Sequence, residues 1–466
     1  MDPIMPNDII LSRRALLGGV AVTLSASVVP ARAQSSPPAE DVVLAGGMVM
    51  TMESGSSARI ADIHVRSGEI VAISERINIS GARRLDMAGR IVLPGLVDTH
   101  WHMWNSLARG FAMSRLGPFA KTMAPLAKVW TPEAAALSVR IAVAEALHSG
   151  ITAVNNWAHN TKSLEFAEAE YAAMEVSGIR GRFSYGYPQA LKPDERMDFD
   201  ALDRFMKQRS TVNPLLHLGL CTRGPDRSAG PVWREEWAFA GDRRLPITTH
   251  IASDRAAAGT RNITTMAKEG LLGPDVQLVH ATHAGPDEFR LIKEAGSPVS
   301  ISPWTELEVG YGVPPVAMMA AADIGLGLSV DNMVLSGNAD MFSVMKITAD
   351  IASGQSKKQG AVSDAKVLDW ATRGGALGLG IGNRVGRLAP GLRADIIAVR
   401  TDTLNTVGSM TPEFALTHAS QPANVEFVMI DGEVRKQGGR LTDIDETALV
   451  EEVKETMSDL RRKVGL

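Results

Sequence analysis

One cysteine, Cys221, occurs in 466 residues. This excludes an internal disulfide and any Cys-rich zinc site, leaving histidine and carboxylate to hold a metal. Preceded by Leu218, Gly219 and Leu220, Cys221 reads as a packing residue rather than a nucleophile. A strong charge of one sign is also missing, because 48 Lys and Arg face 52 Asp and Glu for a net charge of −4. With no dense basic cluster there is no electrostatic footprint for nucleic acid. No apolar run is long enough for a stable membrane span: residues 15–29 provide about 15 residues, against the roughly 20 a spanning helix needs, and include Gly18 and Gly19. What remains is a globular composition, 45% apolar, long enough for one large domain and a smaller one.

The beginning of the chain has the order of an export signal. Arg13-Arg14 precedes the apolar segment, and Ala31-Arg32-Ala33 supplies a cleavage site before Gln34. Residues 1–33 are therefore expected to be a twin-arginine-type signal that directs the protein to the periplasm. Residues 34–40, Q-S-S-P-P-A-E, form a linker.

Residues 91–102, I-V-L-P-G-L-V-D-T-H-W-H, end an apolar run on two histidines. Side chains alternate along a strand, so His100 and His102 face one way and Trp101 the other. Two imidazoles on one face of a strand end can share a transition metal. Further strand-like runs at 153–156, 181–185, 215–221, 246–250, 276–280, 299–301 and 325–330 follow, with Ala/Leu/Glu-rich segments between most of them. With the run at 91–99 they make eight strands, and residues 96–385 are expected to form an α/β fold, a (β/α)8 barrel. Chemistry in such a barrel gathers at the carboxyl ends of the strands. Those ends supply His100, His102, Asn155, Trp157, Tyr185, Thr222, Arg223, His250, His280, Trp304, Glu306 and Asp331. His64, His148, His217 and His418 fall elsewhere and read as surface or packing residues, and His159 ranks below the strand-end set. Hairpin-like strands at 41–95 and 386–440 are too few to stand as separate sheets. Residues 441–466 are expected to be a C-terminal helix.

P-G-L-V-D-T-H-x-H at residues 94–102 resembles the first-strand signature of the amidohydrolase superfamily, in the metal-dependent deaminase and chlorohydrolase branch that includes cytosine deaminase and the triazine hydrolases. The resemblance runs over about residues 41–440 and includes R-L-x-P-G-x-x-A-D at 387–395. It implies that the terminal strand sets combine into one small β-sandwich. It implies a metal held by His100, His102, His250 and Asp331, with Asp331 also the base toward the attacking water and His280 the group that stabilises the adduct. Two-metal relatives often carry a carboxylated lysine at the end of the fourth strand, where residues 217–223 read H-L-G-L-C-T-R. One divalent transition metal is therefore expected, zinc first, with iron or manganese open. Relatives are often homo-oligomers.

Two positions depart from the family pattern. Deaminases of the branch carry His-x-x-Glu on the fifth strand, and that glutamate protonates the substrate ring. Here the run is His250-Ile251-Ala252-Ser253, and a serine hydroxyl is too weak an acid for the task. Asp254 is one residue out of phase. After the seventh strand, Pro303-Trp304-Thr305-Glu306 stands where relatives have Pro-x-Ser-Asn. Glu306 is thus a candidate acid or base, a partner for a cationic substrate, or one half of a surface salt bridge.

Trp104, Asn155, Trp157, Trp304, Glu306 and His283 are expected to line a pocket for a small organic substrate, while Trp101 packs in the core. The expected reaction is hydrolysis of a non-peptide carbon–nitrogen bond of amide, cyclic amide or carbamate type. Deamination or dechlorination of an N-heteroaromatic ring is the alternative. A catalytically inactive periplasmic protein that only binds metal or ligand is a third reading, weakened by the presence of both Asp331 and His280. Mass spectrometry of the exported protein is expected to place the mature N terminus at Gln34. Export of an Arg13→Lys, Arg14→Lys variant at the normal level would contradict the assignment.

Overall fold

The computed structural model describes residues 40–209 and 213–466; the expected signal segment and all but the last residue of the expected linker lie outside them. Eight parallel strands pair in sequence order: Leu96–Trp101, Ile151–Ala158, Arg180–Tyr185, Leu216–Thr222, Ile247–Ile251, Val276–His280, Val299–Ile301 and Leu326–Leu328. Helices cover their outer face, so strands such as Ile151–Ala158 and Val276–His280 are buried at every position. This two-sided burial is why they read as continuous apolar runs. The (β/α)8 reading holds.

The eighth strand meets the first through two backbone hydrogen bonds at their carboxyl ends. His102 N–H donates to the Asp331 carbonyl at 2.8 Å, and Asp331 N–H donates to the His100 carbonyl at 3.1 Å. One turn of pleat below, the Asp98 carboxyl accepts from His100 N–H at 3.1 Å and from Val330 N–H at 2.8 Å. Burial pushes Asp98 well above the usual carboxylate range, against the pull of those two N–H groups. A polar layer fills the barrel beneath the site. The Thr99 carbonyl accepts from Asn155 Nδ2 and Gln277 Nε2, each at 3.1 Å, while the Thr99 hydroxyl donates to the Leu328 carbonyl at 3.0 Å. Ser184 donates to Asn155 Oδ1 and Thr248 to Gln277 Oε1 across neighbouring strands, while Asn155 Nδ2 to Gln277 Oε1 and Gln277 Nε2 to the Thr99 carbonyl, each at 3.1 Å, link strands that are not neighbours in the sheet.

A second, nine-stranded mixed sheet takes strands from both ends of the chain. Its joining pair is Arg90–Pro94, antiparallel to Ile396–Arg400. Alternate residues divide between two cores: Ile396, Ala398, Phe427 and Met429 face the sheet's own core, whereas Ile397, Val399, Val428 and Ile430 face the barrel. The continuous apolar run at 91–99 is two strands in two sheets, with the change at Gly95. A helix, Glu446–Lys463, ends the chain and buries Leu449, Met457 and Leu460 against Leu126 and Trp130. Among the described residues no helix is long and apolar enough to cross a membrane.

Gly95 stands at the crossing because a Cβ there would lie 1.9 Å from the Thr152 hydroxyl. Gly95→Ala is expected to lose about 2 kcal/mol of stability in urea unfolding by forcing the strands apart. An unchanged midpoint would contradict that account of the crossing.

Candidate metal centre and active site

The two histidines on the first strand end, one on the fifth and the aspartate after the eighth converge. His100 Nε2 lies 3.2 Å from His102 Nε2 and 3.3 Å from His250 Nε2. Asp331 Oδ1 lies 3.1 Å from His100 Nε2 and 3.2 Å from His102 Nε2. Donors bound 2.0–2.1 Å from a tetrahedral ion are separated by roughly 3.3–3.4 Å, so this donor set fits one ion. Two overlapping groups, His100 with His102 and Asp331, and His100 with His250 and His280, share His100 and so describe one centre. Among the described residues no lysine borders the cavity at these donors.

Protonation suits the same purpose. Burial pushes His100 down to about 4, against the pull of Asp331, and burial with the neighbouring imidazoles and the Arg227 charge pushes His250 well below its ordinary value. Both rings therefore offer lone pairs at neutral pH. Burial alone would raise Asp331, but the charge and hydrogen bonds of His100 and His102 hold it well below the usual range. The backbone is strained here: φ is 59° at Asp331, 73° at His280, 46° at Ala252 and 48° at Ala281. Each such non-glycine residue costs about 1–2 kcal/mol, and the cost is met where strand ends must turn side chains inward.

His280 stands beside the donors, with Nε2 3.9 Å from Asp331 Oδ2. Its Nδ1 lies 3.0 Å from Glu306 Oε1, which also accepts from Ser302 N–H at 3.0 Å. Glu306 is fully buried, and burial raises its carboxyl against the His280 hydrogen bond. It is neither a surface salt bridge nor a wall of the pocket; it stands behind His280. His159 has a larger place than its sequence position indicated. Its Nδ1 lies 3.0 Å from His102 Nδ1 and accepts Trp104 Nε1–H at 3.0 Å. With its Nδ1 accepting from Trp104, His159 is placed to accept from His102 Nδ1, an arrangement that would leave His102 Nε2 to a metal.

The sequence profile of the Amidohydrolase family matches residues 91–435. The chain belongs to the amidohydrolase family. It is 26% identical over 440 residues to a 5-methylthioadenosine/S-adenosylhomocysteine deaminase of Nitratidesulfovibrio vulgaris, covering 91% of this chain and 97% of that protein. Its fold superposes with a TM-score of 0.82 on an adenosine deaminase from Xanthomonas campestris solved with bound zinc, at 25% identity, over 91% of this chain and 100% of the other. An atrazine chlorohydrolase from Arthrobacter aurescens, solved with zinc, shares the fold at a TM-score of 0.78 and 20% identity, over 89% and 99%. Membership makes the chain a hydrolase of non-peptide carbon–nitrogen bonds, the chemistry of its deaminase relatives.

In this amidohydrolase the cavity above the candidate metal donors measures about 230 Å³ and is walled mostly from the helices and turns that follow the strands: Asn105, Phe119, Met123, Tyr187, Arg223, Arg227, Thr305 and Tyr311 border it together with His102, His250, His280 and Asp331. None of the six residues expected to line the pocket is on that wall. Trp104, in a short 3-10 turn, packs against Trp130 and is spent on His159. Asn155 belongs to the polar layer inside the barrel. Trp157 lies under His250, ring centres 4.2 Å apart, in a small cluster with Cys221 and Val279. Trp304 turns outward because the chain enters the helix Pro303–Glu308 there; its Nε1–H donates to Ser343 Oγ at 3.1 Å. His283 donates from Nε2 to the Tyr311 carbonyl at 2.6 Å. Glu306 is the sixth. Ser253 is buried, and Asp254 caps the helix Arg255–Gly259 by accepting Ala257 N–H at 2.9 Å.

Elemental analysis is expected to find one transition metal per wild-type chain and little in His250→Ala. His159→Ala is expected to weaken metal affinity about 10- to 100-fold while the fold is kept; unchanged affinity would remove His159 from the centre. The metal-stripped protein is expected to lose stability as pH falls from about 6.5 to about 4, because His100 binds its proton only after unfolding in that range. A thermal midpoint flat across that window would contradict the buried neutral imidazole.

Proposed function

We propose that this amidohydrolase is an exported, single-metal enzyme, most simply a zinc enzyme, that hydrolyses an amide, cyclic amide or carbamate-type bond of a small organic molecule. The observation that carries the reading is that Asp331 is the one carboxylate bordering the cavity among the described residues. Ring deamination needs an acid for the ring nitrogen besides the base for water, whereas an amide-type leaving group needs only the proton Asp331 has collected. Asn105 supports the same reading. Its amide is fully buried, borders the cavity and has no hydrogen-bond partner at either Nδ2 or Oδ1. A donor and an acceptor side by side match the C=O and N–H of an amide or lactam. The zinc recorded for two of the similar structures supports the choice of metal.

His100, His102, His250 and Asp331 would hold the ion, which when bound supplies Lewis acidity and brings the pKa of water toward neutrality. Asp331, held ionised, receives the water's proton and returns it to the leaving nitrogen. His280, fixed at Nδ1 by Glu306, presents Nε2 to the developing oxyanion. Glu306 acts through His280 and is a positioning residue. Trp157 and the strand-end loops keep bulk water from the rear of the donors.

Deamination of an N-heterocyclic ring is the second reading, favoured by the deaminase names of the similar proteins and by the His280–Glu306 pair as a proton store. Zinc-loaded protein assayed on cyclic amides and carbamates beside aminopurines separates the two. Turnover on the former is expected, with ammonia release from the latter ~100-fold slower and raised by Ser253→Glu. Ammonia release as fast as amide hydrolysis would replace the first reading with the second.

A further inference from the structure

Arg227 is the charged group of the cavity that has no task in the chemistry above. It ends the short helix Gly224–Arg227 after the fourth strand, and its neighbour Asp226 ties that helix to the fifth strand. Asp226 accepts Ala252 N–H and Asn262 Nδ2–H, each at 2.7 Å, so the guanidinium is carried on an anchored turn beside His250. Among the described residues Arg227 forms no ion pair within 4.0 Å. Asp226 is committed as stated, and Asp254 to its helix cap. Arg223, by contrast, is occupied by the carbonyls of Leu191, Lys192 and Glu195 and by Glu236 at 4.0 Å.

Among the described residues the one side chain that Arg227 hydrogen-bonds is that of Tyr311, whose hydroxyl accepts from Nη2 at 3.1 Å. The hydroxyl proton of Tyr311 is thereby free to be donated outward. Tyr311 is held from two sides: its ring meets that of His280 edge-on at 5.3 Å, and its carbonyl accepts from His283. Guanidinium and phenol thus present a planar fork and one O–H toward the same space, which is the donor pattern a carboxylate fills. The balance of charge agrees, since Arg223 and Arg227 border the cavity against one carboxylate, Asp331, which is already engaged by His100 and His102.

We propose that the substrate is an acid, its carboxylate bound by Arg227 and the Tyr311 hydroxyl while its scissile amide lies toward Asn105 and Asp331. The identity of the scissile group rests on the hydrolase reading above; the recognition of the acid does not. Binding of 4-carbamoylbenzoate and of its neutral counterpart terephthalamide to zinc-loaded full-length protein, measured by calorimetry, tests it. Wild type is expected to prefer the acid by roughly 10- to 100-fold, and Arg227→Gln to bring the two within about threefold by weakening the acid alone. Tyr311→Phe, which keeps the ring, is expected to cost the acid about fivefold and the diamide nothing. Metal content and thermal midpoint of each variant confirm that the site is intact. Equal affinities in wild type, no measurable binding of the acid, or a preference that survives in both variants overturns the proposal; the last result would place the carboxylate on the metal. Hydrolysis of the probes is a separate readout, so its failure counts against the reaction and leaves the acid preference to stand or fall on binding.

Discussion

The pair of backbone hydrogen bonds between Asp331 and the His100–His102 segment closes the barrel and builds the site in one act. A parallel barrel must join its last strand to its first. In this chain the join is made by residues of the candidate metal centre rather than by a long ladder, with Asp98 bracing it from below. Strand closure and ligand geometry are therefore one constraint. A residue that loosened the eighth strand would move Asp331 away from the imidazoles, and one that displaced His100 would open the barrel.

The same region gathers the molecule's uncomfortable features. Three imidazoles are held close together, with His100 and His250 pushed below their ordinary values by burial, four non-glycine residues adopt positive φ, and buried carboxyls lie at Asp98 and Glu306. Each would be unfavourable alone, and the polar layer of Thr99, Asn155, Ser184, Thr248 and Gln277 beneath them fixes the strands so that relaxation is blocked. A bound cation would give the converging nitrogens and the carboxylate a common partner. Recognition is placed apart from this rigid floor, on the short helix, 3-10 turn and bend that carry Arg227, Asn105 and Tyr311.

The floor was legible in the sequence and the walls were not. His100, His102, His250, His280 and Asp331 stand at the ends of apolar runs, and a parallel barrel converts that one-dimensional fact into a cluster. Gly95 was hidden because apolar residues continue on both sides of it while the chain changes sheets. His159 ranks low in the sequence because the apolar run stops short of it, whereas the second strand runs on to Ala158 and places His159 directly after its end. Strand alternation does not place Trp304 and Trp104, because the chain leaves the strand for a helix or a 3-10 turn, where neighbouring residues no longer alternate between two faces. Glu306 was recognised as unusual, but its partnership with His280 joins residues 26 apart in sequence and could be seen only in three dimensions.

The most direct test of a centre formed by barrel closure is X-ray absorption at the zinc edge of the loaded protein. Three imidazoles and one carboxylate oxygen at about 2.0–2.1 Å around a single ion are predicted. Fewer than three imidazoles, or a second metal at about 3.5–4 Å, would contradict the assignment of His100, His102, His250 and Asp331 to one ion.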